Sequence, residues 1–327
     1  MAKSAKPGAC PDHRYHGNPL TDDGWFQKAP VGKCRNRGNL AAMRFVLALP
    51  VLLAACAAAP PACVQPGRWA MPATLREIPD PTAGAIPRPV TLLGEAHDNA
   101  ADHAWQLATI EHLYALQPDM VLGFEMFPRS AQPVLDRWVD GGLTEADFLA
   151  RSNWQAYWGF PPELYLPIFR FARDHRIPMR ALNVSHRLVH LTGQQGWVAM
   201  PAAMREGVGN PAPPSPAYRK SLAEVMSGHG GPAMSPQFLE HFIDAQLVWD
   251  RAMAEAIATQ LASEPHRPIV ALMGAGHLED RAGVPHQLDA LGAPPSLVLI
   301  PVQDGCTRPG AGYADAVYVT RADAPPS

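Results

Sequence analysis

Residues 90–97 read Val90-Thr91-Leu92-Leu93-Gly94-Glu95-Ala96-His97, and residues 270–277 read Val270-Ala271-Leu272-Met273-Gly274-Ala275-Gly276-His277. Each is a short apolar run that ends in Gly-x-x-His. A continuous apolar run of this length is the pattern of a strand buried on both faces. A glycine directly after it lets the chain turn and leaves space beside the histidine. If the strands are parallel, two that end alike bring His97 and His277 to one edge of the sheet, where open α/β sheets hold their ligands.

Further apolar runs lie at 120–124, 179–182, 297–301 and, more weakly, 316–320; the echo itself belongs to a run at 269–273. Long helical patterns separate them. The first, over 100–116, opens after Asp98-Asn99, both good N-caps, and stops before Pro118. Trp105, Leu107 with Ala108, Leu113 and Leu116 recur in it at helical spacing. The longest pattern spans 236–261, with Ser235 as N-cap and Pro236 at the first helical position. Its stripe is Leu239, Phe242, Gln246, Trp249, Met253 and Ile257; Asp250 lies next to it, and a carboxylate near a buried face needs a partner. Strands alternating with helices predict an α/β fold: a mostly parallel central sheet flanked by helices, in a single large domain over 89–327.

A third run ends in Gly123-Phe124-Glu125 and a fourth at Asn183. Glu95, His97, Glu125 and His277 are therefore expected to converge. Two imidazoles and two carboxylates suit a divalent first-row metal or a general acid/base pair. One Gly-x-x-His alone is weak, and a single histidine is more often structural; the repetition carries the reading. A dense aromatic stretch, Asn153-Trp154-Gln155-Ala156-Tyr157-Trp158-Gly159-Phe160 with Tyr165 and Phe169, leaves two readings open. It is a cluster packed under a Pro-rich loop, or a flat apolar platform for a ring-shaped ligand such as a porphyrin.

The net charge of −3 with 17% charged residues gives no basic footprint for nucleic acid. No Gly-x-Ser-x-Gly, His-Glu-x-x-His, P-loop or dinucleotide fingerprint is present. The 36 prolines are more than twice the usual ~5% and cluster at 60–89 and 201–216, as in linkers and surface loops.

From Met43 the chain has an arginine and then an apolar run of about a dozen residues, the order of a secretory signal and too short to span a bilayer. The run ends in Leu53-Ala54-Ala55-Cys56, which resembles the lipobox of bacterial lipoproteins. This predicts a signal peptide over 43–55, lipid on Cys56 and a Pro/Ala-rich tether over 56–88. Ala57, in place of an aspartate, favours the outer membrane, facing the periplasm. The 42 residues before Met43 have two open readings, a start codon assigned too early, which is preferred, or a disordered leader. Cys10 and Cys34 with His13 and His16 fit no zinc spacing. Cys63 and Cys306 would then remain in an oxidising compartment, where a bridge would pin the tether to the domain.

Several segments together resemble the ChaN family of haem-binding lipoproteins in the Tiki/TraB superfamily. They are Gly94 to Asn99 with His103 and Gln106, Gly123 to Phe127, the Trp154 region through Tyr165, Asn183, Ala245 to Ala254, and Gly274 to His277. The resemblance covers roughly 90–291. It implies an α/β fold, a role in haem or iron acquisition, homodimers that enclose paired haems, and a tyrosine as iron ligand. Tyr218, Tyr165 and Tyr157 are the candidates, in that order. Arg219 and Lys220 are placed to meet haem propionates, and His229 is the fallback ligand. The superfamily also implies an alternative, a metal-dependent hydrolase of peptides or esters using Glu95, His97, Glu125 and His277. The Pro-rich insertion at 211–216 departs from the compact pattern and weakens the transfer of the haem tyrosine. Binding is preferred over catalysis.

Overall fold

Part of the stretch expected as a tether is built into the sheet. β1 (Trp69–Ala70) and β2 (Glu77–Ile78) pair antiparallel with each other. Two-residue strands carry no readable alternation, so prolines dominate the sequence signal there. In this computed structural model the described residues are 63–83, 88–227 and 235–321, all within one unit, 57–327. The expectations for residues 1–42, the signal peptide, Cys56 and His229 lie outside the described residues.

The apolar runs become β3 (Val90–Leu93), β4 (Val121–Pro128), β5 (Met179–Asn183), β6 (Ile269–Leu272), β7 (Ser296–Val302) and β8 (Ala316–Val319). With β1 and β2 they form one eight-stranded sheet in the order β2-β1-β8-β7-β3-β6-β4-β5. β3 lies between β6 and β7, and β4 between β6 and β5, all parallel; β8 is parallel to β7, β1 runs the other way, and β2, antiparallel to β1, returns to the common direction. Every residue of β3 and β6 is buried, as central parallel strands covered on both faces require.

The helices among the described residues are α1 (Ala100–Leu116), α2 (Gln132–Val139), α3 (Glu145–Arg151), α4 (Trp154–Tyr157), α5 (Leu166–Asp174), α6 (His186–Gln195), α7 (Pro216–Ser227), α8 (Pro236–Ser263) and α9 (Val284–Ala290). α1 starts where its cap predicts: the Asn99 side chain accepts from the N–H groups of Ala101 and Asp102. Ser235 caps α8 by accepting from Phe238 N at 3.2 Å, behind Pro236. Such caps contribute about 1 kcal/mol each. None of these helices is long and apolar enough to cross a membrane.

The aromatic stretch resolves mainly into core. Trp154, Tyr165 and Phe169 are buried with Phe124, Phe127, Phe148 and Trp138 in one cluster. Their rings meet edge-on or tilted at 5.2–5.7 Å for Trp154 against Tyr165, Phe169 and Phe127, the geometry that the aromatic quadrupole favours. Trp158 and Phe160 are only partly buried and reach the sheet edge instead.

Cys63 and Cys306 form a disulfide, with Cα atoms 4.5 Å apart and 243 residues between them in sequence. Val64 N donates to Gly305 O beside it at 3.0 Å. In the chain-entropy account a loop this long stabilises by roughly 5 kcal/mol.

Candidate functional site

The carboxyl ends of β3, β4 and β6 carry the four expected residues to one place. Gly94 N donates to Leu299 O on β7 at 2.9 Å, and Ala275 N donates to Glu95 O at 2.9 Å, so the two Gly-x-x-His turns are laced together. Glu125, inside β4, accepts from Gly274 N through Oε2 at 2.6 Å. A Cβ on Gly274 would lie 2.7 Å from Cε1 of His97 and 3.7 Å from Glu125 Oε2. The His97 ring is thus lodged against the bare Cα of Gly274, which explains the glycine in the second motif.

The two histidines sit in different surroundings. His97 Nδ1 is 2.9 Å from Glu95 Oε1. Glu95 is fully enclosed and also accepts from Tyr165 Oη at 2.7 Å and from Gln106 Nε2 at 2.9 Å, while His103 Nδ1 lies 3.5 Å from its Oε2. Burial alone would push the Glu95 carboxyl up; the His103 and His97 imidazoles and the Tyr165 hydroxyl outweigh it and hold it below the usual range. Burial likewise depresses His97, but Glu95 and Glu125 leave it raised. Trp158 and Phe160 flank the His97 ring at 4.7 and 5.2 Å.

His277 stands between two buried carboxylates. Its Nδ1 donates to Asp250 Oδ1 at 2.6 Å, and its Nε2 is 3.4 Å from Glu125 Oε1. Burial works against its charge, yet Glu125 and Asp250 push its pKa up to about 10. Burial also raises Glu125, but the His277 cation leaves it lowered. Asp250 is raised by burial, which His277 and Tyr218 only partly offset. Tyr218 Oη donates to Asp250 Oδ2 at 2.8 Å. Glu125 Oε1 is buried and accepts no hydrogen bond among the described residues. Asn183 donates through Nδ2 to Glu125 O at 3.0 Å and so ties β5 to this strand.

Asp250 is the residue that the four-member expectation omits. Its sequence signal is a carboxylate on the edge of an apolar helical stripe. Among the described residues no group of three or more His, Cys, Asp or Glu is arranged to hold a metal ion. The reason is visible in the pairing: Glu95 is engaged by His97, Tyr165 and Gln106, and both nitrogens of His277 face carboxylates. The arrangement is two histidine–carboxylate pairs: His97 with Glu95, partly exposed and suited to exchanging a proton, and His277, held as a cation between Asp250 and Glu125.

The three tyrosines expected as haem ligands are all engaged. Tyr165 Oη bonds to Glu95, Tyr218 Oη to Asp250, and Tyr157 Oη to Val184 O at 2.5 Å. Burial, and next to it a carboxylate, holds each phenol well above its ordinary value. Ferric iron takes tyrosine as the phenolate, so none of the three fits an iron ligand while its hydrogen bond is intact. Arg219 is bonded to Glu240, and Lys220 Nζ lies 3.7 Å from Glu224, so the two cations expected near propionates already have partners.

Fold and site define an α/β protein with a histidine–carboxylate cluster at the carboxyl edge of a parallel sheet. Residues 85–288 match the family described as haem-binding uptake, Tiki superfamily, ChaN, and the chain belongs to that family. ChaN of Campylobacter jejuni, solved with cofacial haem binding, superposes with a TM-score of 0.58 over 76% of this chain and 95% of its own, at 17% identity. That likeness shows the shared fold. A mutant of the erythromycin esterase EreC in its open conformation matches at a TM-score of 0.41, with 12% identity over 65% of this chain and 70% of its own. The C-terminal region of Pasteurella multocida toxin matches at 0.39, with 10% identity over 72% of this chain and 26% of its own. Neither of these two bears on the chemistry here. No curated protein matches in sequence.

Proposed function

We propose that this chain is a membrane-tethered lipoprotein that binds haem in haem or iron uptake, working as a homodimer with its lipid on Cys56 in the outer membrane. The observation that carries this reading is family membership across residues 85–288. Tyr218 remains the first candidate for the iron, which requires its buried hydrogen bond to Asp250 to open as haem binds. Tyr165 and Tyr157 belong to the aromatic stretch under the sheet edge, whereas Tyr218 lies on α7, whose next residues Arg219 and Lys220 are exposed. Titration of the mature protein with ferric haem tests the reading. Saturable binding with a high-spin ferric spectrum and a charge-transfer band is expected, lost in Tyr218→Phe. An unaltered spectrum in variants with Phe at 157, 165 and 218 removes the tyrosine ligand, and no saturable binding removes the haem reading.

A second reading, hydrolysis of an ester or peptide, is favoured by one observation: Glu125 Oε1 is buried without a hydrogen-bond donor beside the His277 cation. A substrate hydroxyl or water would supply the missing donor, and the neutral form of His97 would be the base. A panel of esters and peptides, with His97→Ala as control and metal analysis of the same sample, tests it. Turnover that survives His97→Ala, or none at all, removes this reading.

A further inference from the structure

We propose that the sheet edge carrying the histidine site faces the bilayer, held there by a short disulfide-pinned leash and by arginines set for anionic headgroups; this rests on the reading of Cys56 as the lipid anchor. The leash is short because the domain begins early. Cys63 is bound to Cys306, so only residues 57–62 lie between the lipid-bearing cysteine and the pinned one. At full extension that is about 25 Å. A tether running to residue 88 would have given several times this reach and no preferred orientation.

The pin sits at the same edge as the site. Cys306 follows the carboxyl end of β7, which is parallel to β3 and β6. Gly67 N donates to Val319 O at 2.8 Å, at the carboxyl end of β8. Thr320 N then donates to Val302 O at 2.9 Å, and Thr320 Oγ1 donates to Asp102 Oδ1 at 3.3 Å. The other oxygen of Asp102 accepts from Ala96 N at 2.9 Å, between Glu95 and His97. A continuous hydrogen-bonded path therefore joins the leash attachment to the first Gly-x-x-His turn. β8 is two strands from β3, about 10 Å across the sheet.

Charge on this edge is of both signs: Asp98, next to His97, and Asp304, two residues before Cys306, are exposed there beside three arginines. Arg68, Arg308 and Arg321 are exposed around the pin, and none has a carboxylate partner among the described residues. Arg68 O accepts from Val319 N, and Arg321 follows Thr320, so both border the end of β8. Arg308 is two residues beyond Cys306. Unpaired arginines held near an anionic leaflet are attracted to it, and the attraction fades within a Debye length. The leash keeps them inside that range. The histidine site would then open toward a ligand that reaches it from the lipid surface.

The test uses the mature lipidated protein in vesicles of phosphatidylethanolamine and phosphatidylglycerol, with amide hydrogen exchange read by mass spectrometry. Soluble Cys56→Ser protein is the reference. Exchange is expected to slow in 65–68, 96–99 and 303–313 on vesicles, and to stay unchanged at the opposite edge, in 117–120 and 264–267. Arg68→Glu with Arg308→Glu should weaken that protection. Protection at the opposite edge, or nowhere, in protein whose intact mass shows the lipid overturns the proposal. If the mass shows Cys56 unmodified, the anchor reading fails by itself. A histidine tag placed before Ala57 and held by nickel-chelating lipid then supplies the leash. The same protected segments support the orientation, and their absence overturns it.

Discussion

The two Gly-x-x-His motifs are near copies in sequence and opposites in electrostatics. His97 takes its carboxylate from its own turn, two residues back, at 2.9 Å, and its side chain keeps 18% exposure. His277 takes its partner from α8, 27 residues away, at 2.6 Å, and faces a second carboxylate on β4. One ring borders solvent and aromatic edges, whereas the other is a cation locked between Glu125 and Asp250. The lesson is that a motif sets where a histidine stands, while helices packed later set its charge. His97 is accordingly the group free to exchange a proton with a ligand, and His277 the fixed positive charge that orients Glu125.

Deleting each ring should separate the two most. His277→Ala leaves Glu125 and Asp250 as buried carboxylates without their cation, and loss of one member of such a set costs about 3–5 kcal/mol. His97→Ala leaves Glu95 still served by Tyr165 and Gln106, with a cost of about 1 kcal/mol. Urea unfolding of both variants checks this; equal losses would mean that the motifs are equivalent after all.

The hydroxyls behind the carboxylates come next. Tyr165→Phe and Tyr218→Phe each remove a donor to a buried carboxylate, about 1.5–3 kcal/mol for a bond to a charged group. Only Tyr218→Phe is expected to alter haem binding as well. If Tyr165→Phe abolishes the haem spectrum and Tyr218→Phe does not, the iron belongs on the His97 side.

Much of this was legible in the chain, and the gaps have physical causes. The apolar runs marked the six parallel strands to within a few residues, because strands covered on both faces need continuous apolar sequence. Asn99 and Ser235 marked the starts of α1 and α8, because a cap is a local device. β1 and β2 were hidden because two-residue antiparallel pairs depend on β8 rather than on their own pattern. Convergence of Glu95, His97, Glu125 and His277 followed from parallel topology. The division of labour did not, since Tyr165 meets Glu95 across 70 residues and Tyr218 meets Asp250 across 32. Asp250 was visible only as a carboxylate needing a partner, and the partner is set by tertiary packing.

Gly274 sharpens the comparison with a smaller effect. Its missing Cβ leaves the space that the His97 ring occupies, at 2.7 Å, whereas a Cβ on Gly94 would meet Ile300 at 3.2 Å. In Gly274→Ala the ring is the part that can give way, so stability should fall by only about 1 kcal/mol, the low end for overpacking. The histidine side chain should nevertheless leave Glu95, seen as a moved His97 Cε1–H resonance. Gly94→Ala should leave that resonance in place, and a shift in both variants would show that the ring is not lodged on Gly274.

The smallest expected effect is on stability near neutral pH, where the two rings should differ only in titration. His277 has its folded pKa raised from 6.5 to about 10. A raised histidine contributes stability that is fully present below its unfolded pKa and is lost as pH rises through the folded one. Its share should therefore be full at pH 6, decline steadily from about pH 6.5 upward and be gone once pH has passed about 10, with the Cε1–H resonance flat between pH 5 and 8. Glu125, lowered by the same contact, contributes stability that is present above its unfolded value of 4.5 and lost as pH falls below it. His97, also raised but partly exposed and served by a different carboxylate, should titrate separately from His277. Two resonances that titrate together would mean that Asp250 and Glu125 do not distinguish the second motif from the first. A His277 resonance that moves near pH 6.5 would mean that the ring is neutral in the folded protein and that Glu125 has no fixed cation beside it.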